Sequence, residues 1–93
     1  MVTPPPSGPP EATDPAPLVA DVYLDERGRR CPLPIIALGK AAAQVPAGTV
    51  LSVRSDDAAA RHDVPAWCSM RAATFLGSID HGDHTEYFVR TAQ

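Results

Sequence analysis

Val22-Tyr23-Leu24-Asp25-Glu26-Arg27-Gly28-Arg29-Arg30-Cys31-Pro32-Leu33-Pro34-Ile35-Ile36 joins two different hydrophobic periods within fifteen residues. Its first part alternates. Val22 and Leu24 point one way, while Asp21, Tyr23 and Asp25 point the other, which is the period of a half-buried strand and predicts one over 19–24. Asp25-Glu26-Arg27-Gly28 reads as a turn, with Gly28 free to take positive φ. The period then changes. Ile35, Ile36, Leu38, Ala41, Ala42 and Val45 recur at three and four, so a helix is expected over 32–44, stopped by Pro46-Ala47-Gly48.

Further along, Thr49-Val50-Leu51-Ser52-Val53-Arg54 is rich in β-branched residues and reads as a second strand. Val64, Trp67, Cys68 and Ala72 share one face of a second helix, expected over 58–72 with Pro65 inside it. Asp56, Asp57 and Asp63 read as its caps rather than as acid/base groups. Thr74-Phe75-Leu76-Gly77-Ser78-Ile79 is a third strand. His81-Gly82-Asp83-His84 is a hairpin turn, and Glu86-Tyr87-Phe88-Val89-Arg90 a fourth strand. The order β-α-β-α-β-β predicts an α/β (α+β) two-layer sandwich: a four-stranded mixed sheet with two helices on one face.

The chemistry concentrates at Cys31. If Cys31 is the N-cap, Pro32 is N1 and Pro34 is N3, where a missing N–H costs nothing. The Leu33 N–H is then the natural donor to the sulfur. The helix N-terminus carries partial positive charge, and Arg27, Arg29 and Arg30 stand beside it. Both terms favour a thiolate, so a pKa below the ordinary thiol value of about 8.5 is expected. Such a sulfur is a nucleophile and can carry a persulfide in the same positive field. The competing reading, a small inert core cysteine, is disfavoured by the three arginines and two prolines around it.

Leu24-Asp25-x-x-Gly28-x-x-Cys31-Pro32-x-Pro34 resembles the signature of the TusA/SirA-like sulfur-carrier proteins. Gly48-x-x-Leu51-x-Val53 resembles that family's second strand. Asp56-Asp57 and Asp63-Val64-Pro65-x-Trp67-Cys68 resemble its second helix. The resemblance spans about residues 22–90. It implies the same sandwich, with Cys31 at the position of the motif cysteine, receiving a sulfane sulfur as a persulfide. It implies a cysteine desulfurase or a rhodanese-type protein as donor. It also implies a downstream acceptor in a sulfur relay, such as tRNA thiolation, cofactor synthesis or sulfur oxidation. Gly28, Arg27, Arg29, Arg30, Pro32, Leu33 and Pro34 are the residues expected to stabilise or present that sulfur. No metal or organic cofactor is expected. Three features depart from the family pattern: Ala58 where proline is frequent, Ala72-Ala73 where Gly-His is frequent, and the N-terminal extension.

Cys68, beside Trp67 on an apolar face, reads as core; a resolving partner for Cys31 in a redox switch is the sharper alternative. His81 and His84 read as a polar hairpin tip rather than metal ligands, and His62 as a solvated helix position. Arg27, Arg29 and Arg30 also offer a basic patch to an acidic partner.

Composition bounds the remaining classes. The chain has 93 residues, 44% apolar and 20% charged, with net charge −3. One domain is the most it can build. An acidic balance and 5% aromatic content argue against nucleic-acid binding. The apolar runs are too short to span a bilayer. Two cysteines make no disulfide scaffold or paired zinc site. Seven of the eleven prolines lie in residues 1–17, so residues 1–19 are expected to be a disordered tail before a domain of 20–93. No Lys or Arg precedes Arg27, so a secretory signal is not expected and a cytoplasmic location is. The alternative to a sulfur carrier is a non-catalytic interaction module on the same sandwich, which would tolerate loss of Cys31.

Overall fold

The computed structural model of the chain describes residues 18–92. Six elements follow the expected order: β1 (Val22–Asp25), α1 (Leu33–Ala42), β2 (Val50–Ser55), α2 (Ala60–Met70), β3 (Thr74–Asp80) and β4 (Thr85–Arg90). The strands form one sheet in the order β1-β2-β4-β3. β1 runs parallel to β2, while β4 pairs antiparallel with β2 and β3. The α/β (α+β) sandwich with a four-stranded mixed sheet is therefore the observed architecture. The expected tail falls outside the described residues, except for Leu18 and Val19. Leu18 packs close over Gly77.

Alternation on three strands builds the core. Val22 pairs with Leu51 and Leu24 with Val53; Leu51 pairs with Val89 and Val53 with Tyr87. These side chains pack with Leu38 of α1 and with Ala60, Val64, Trp67 and Cys68 of α2. β2 is central and buried at Leu51, Ser52, Val53 and Ser55, which explains its near-continuous run of small and β-branched residues. On the reverse face Tyr23, Ser52, Phe88 and Gly77 follow one another across the sheet. There the buried Glu86 carboxylate accepts hydrogen bonds from the Ser52 hydroxyl (2.8 Å) and His81 Nε2 (2.9 Å).

Three local choices set the frame around the site. Gly28 takes φ +83°, as its turn requires. Pro65 lies inside one continuous α2, whose entry is tightened by i→i−3 bonds from Ala60, Arg61 and His62. α2 ends on Ala72 at φ +57°, with Ala73 N–H returning to Cys68 O at 2.9 Å. This is the left-handed helix stop that glycine normally supplies, made here by an alanine.

Candidate functional site around Cys31

Parallel pairing of β1 and β2 puts their carboxyl ends side by side, so the β1–α1 and β2–α2 turns are neighbours. The first turn carries Cys31 and the second carries Asp56 and Asp57. Asp56 accepts the Gly28 N–H on both carboxylate oxygens, at 3.0 and 3.1 Å. Asp57 Oδ2 accepts the Cys31 N–H, and its Oδ1 accepts the Ala59 N–H at 3.0 Å. Asp57 thus joins the turn that leads into α2 to the sulfur loop. The amides of Cys31 and Ala59 keep its carboxyl below the usual carboxylate range, aided by Arg30.

Cys31 is exposed and in no disulfide. Its position differs from the expected N-cap by one residue. α1 begins at Leu33 with Pro32 at the cap, and Pro34 lies in the first turn. The Cys31–Pro32 peptide is cis. The Leu33 N–H donates to Arg30 O at 2.8 Å. It closes the turn under Cys31 and is not the sulfur's donor.

The electrostatics also differ from expectation. The Cys31 thiol is held above its ordinary value, not below it. Interaction with the neighbouring Asp63 carboxylate is the main cause, partial desolvation adds to it, and the charges of Asp63 and Asp57 disfavour a thiolate. Two of the three arginines are engaged elsewhere. Arg27 forms a two-pronged pair with Asp25 (2.8 and 2.7 Å), and Arg29 faces Glu26 at 3.8 Å. Arg30 acts on Asp57. The charges closest to the sulfur are therefore carboxylates from α2 and its preceding turn.

A cavity of ≈ 230 Å³ opens at Cys31 between the two helices, lined by Ile35, Asp63, Ala66, Trp67 and Met70 among others. Asp63 is the single ionisable group facing the sulfur across an otherwise apolar wall. This arrangement suits an accessible thiol that rests protonated and can be presented to a partner.

The N-cap of α2 is Ala59, with no side-chain cap bond, so Asp56, Asp57 and Asp63 are not the caps they were expected to be and belong instead to the surroundings of Cys31. The signal was available in the topology, because a β-α-β unit with adjacent parallel strands must place its two post-strand turns together. Cys68 is core as expected: it is 3% exposed, and burial pushes its thiol up to about 11. His81 and His84 close the hairpin tip by stacking at 4.7 Å and bonding His81 N–H to His84 O. No group of three metal-ligating side chains occurs among the described residues. None of their helices is long and apolar enough to cross a membrane.

Residues 22–91 match the family model described as Sulfurtransferase TusA. The chain is 31% identical over 71 residues to the putative sulfur carrier protein YrkI of Bacillus subtilis (strain 168), covering 76% of this chain and 95% of that protein. It is 33% identical over 73 residues to the sulfur carrier protein TusA of Pseudomonas entomophila (strain L48), covering 78% and 91%. Among solved structures, a SirA-like protein from Desulfitobacterium hafniense superposes with a TM-score of 0.69 at 22% identity, covering 77% of this chain and 99% of the other. That likeness is one of fold.

Proposed function

This chain belongs to the Sulfurtransferase TusA family, and we propose that it carries sulfur as a persulfide on Cys31 within a relay between two proteins. In the accepting step the Cys31 thiol ionises against the opposing charges of Asp63 and Asp57, its proton passing to solvent. The thiolate attacks the outer sulfur of a donor persulfide. The donor's S–S bond breaks, a new S–S bond forms to Cys31, and the donor cysteine leaves as a thiolate. In the delivering step an acceptor nucleophile takes the outer sulfur, and Cys31 departs as the thiolate. Sulfane sulfur moves without net oxidation or reduction, so neither step requires a redox cofactor.

The observation that carries this reading is the exposed sulfur fixed by two carboxylate-to-amide bonds at Gly28 and Cys31. A carrier needs such a thiol, positioned in advance and open to large partners. Gly28 supplies the turn. Pro32 and Pro34 stiffen the helix entry, and Leu33 closes it. Arg27, Arg29 and Arg30 form the rim that a donor or acceptor meets. The donor is a cysteine desulfurase or a rhodanese-type protein, and the acceptor is a downstream relay protein.

Incubation with a cysteine desulfurase and cysteine should add ~32 Da to the intact protein, the mass of one covalently transferred sulfur. Cys31→Ser should abolish the gain and Cys68→Ala should keep it. An unchanged mass, or equal gains in the Cys31→Ser variant, would refute the assignment.

A further inference from the structure

The cavity at Cys31 carries a single ionisable side chain besides the thiol, that of Asp63. Its other walls are apolar, from Ile35, Ala66, Trp67 and Met70 among others. The charges of the sulfur loop offset one another in pairs. Arg27 is paired with Asp25, and Arg29 faces Glu26. Arg30 acts on Asp57, which accepts the Cys31 N–H. Lys40 and Arg71 line the next cavity along the helix seam, which does not reach Cys31. Asp63 enters none of the ion pairs among the described residues. One uncompensated negative charge therefore faces the sulfur, and apolar walls concentrate its field at the cavity mouth.

We propose that Asp63 sorts the reaction partners of Cys31 by charge, slowing small anionic thiols and favouring a protein partner that sets a lysine or arginine beside its own cysteine. For its biological sense the inference rests on the sulfur-carrier reading. In either transfer a thiolate attacks the outer sulfur of a persulfide, one S–S bond forms as another breaks, and a thiolate leaves. The attacking and leaving groups are negative in every case, so partners differ in the further charge they bring. A free anionic thiol such as glutathione adds negative charge opposite Asp63 and is repelled. A cysteine flanked by a cation is attracted. The carboxylate thus limits loss of the carried sulfur to small thiols. The same charge holds the resting Cys31 thiol above its ordinary value.

The test compares three methanethiosulfonates on the full chain at low ionic strength: the trimethylammonioethyl, hydroxyethyl and sulfonatoethyl reagents. In each, the Cys31 thiolate attacks the thiosulfonate sulfur, a mixed disulfide forms and methanesulfinate leaves. All three report on the same thiolate, so ratios of their rates at Cys31 cancel its pKa. Relative to N-acetylcysteinamide, the cationic-to-anionic ratio should be raised about tenfold, the scale of one charge acting over several ångströms of water on reagents two charges apart. High salt should shrink it. Asp63→Asn and Asp63→Ala should both return the ratio toward that of the free thiol. Asp63→Glu should keep most of it, which a merely structural role would not predict. Asp21 lies at the opposite end of β1 from the sulfur loop and accepts the Val50 N–H. Asp21→Asn removes the same charge there and should leave the ratio raised. A wild-type ratio equal to that of the free thiol, or one that both neutral variants at residue 63 leave raised, would overturn the proposal. So would an equal fall in Asp21→Asn, which would trace the effect to net charge. The measurement needs no persulfide, so its failure and that of the sulfur-carrier assignment are told apart.

Discussion

Asp57 Oδ2 accepts the backbone N–H of Cys31, joining the turn after β2 to the loop after β1. The bond lies between residues 26 apart in the chain. It fixes where the sulfur stands and brings a negative charge close to it. In the proposed transfer Asp57 is therefore a positioning residue, bonded to the Cys31 amide.

Asp57→Ala should free the Cys31 amide and loosen the loop. Hydrogen exchange at Gly28 and Cys31 should accelerate, and sulfur transfer from a donor should slow by about tenfold, the scale expected for a misplaced reacting group. Asp57→Asn keeps an accepting oxygen and should retain most of the transfer rate. Equal losses in both variants would show that charge, not geometry, is what matters at this position.

Asp63→Asn tests the resting protonation of the sulfur. Asp63 holds the Cys31 thiol above its ordinary value, so the thiolate fraction at neutral pH is smaller than in free cysteine. Alkylation by iodoacetamide should therefore climb about tenfold per pH unit from neutrality until the thiol's own pKa is reached. Removing the charge at residue 63 lowers that pKa, so the profile should move to lower pH and the rate at pH 7 should rise. A profile that stays in place would remove Asp63 from the mechanism.

The two thiols should differ sharply in reactivity. Cys68 is buried and its thiol is pushed up to about 11. At pH 8 a maleimide should label Cys31 alone in the native protein and Cys68 only after denaturant is added. Labelling of both at similar rates would contradict the packed α2 face.

Ala72 sits at φ +57° where α2 stops. A Cβ in this region costs about 1–2 kcal/mol, and glycine's greater entropy in the unfolded chain returns part of that. Ala72→Gly should therefore stabilise the fold by about 1 kcal/mol and raise the melting temperature by roughly 4–8 °C. Thermal unfolding followed by circular dichroism measures this directly, and an unchanged or lower melting temperature would contradict it.

Local pattern was enough for the elements and for the exposure of Cys31. Alternation in Val22–Leu24, the three-and-four spacing from Ile35 to Val45 and the β-branched run at 49–54 each report a period set by backbone geometry, so they can be read one segment at a time. Cys31 between arginines and prolines could likewise be recognised as an exposed, presented thiol. Its electrostatics could not. Arg27 and Arg29 turn to Asp25 and Glu26, while Asp57 and Asp63, distant in sequence, meet Cys31 in space. Proximity along the chain is a poor guide to charge at a loop, because exposed side chains pair with whatever the fold brings within reach. The parallel pairing of β1 with β2 made that choice, and it turned a thiol expected to favour ionisation into one whose neighbours favour the protonated form.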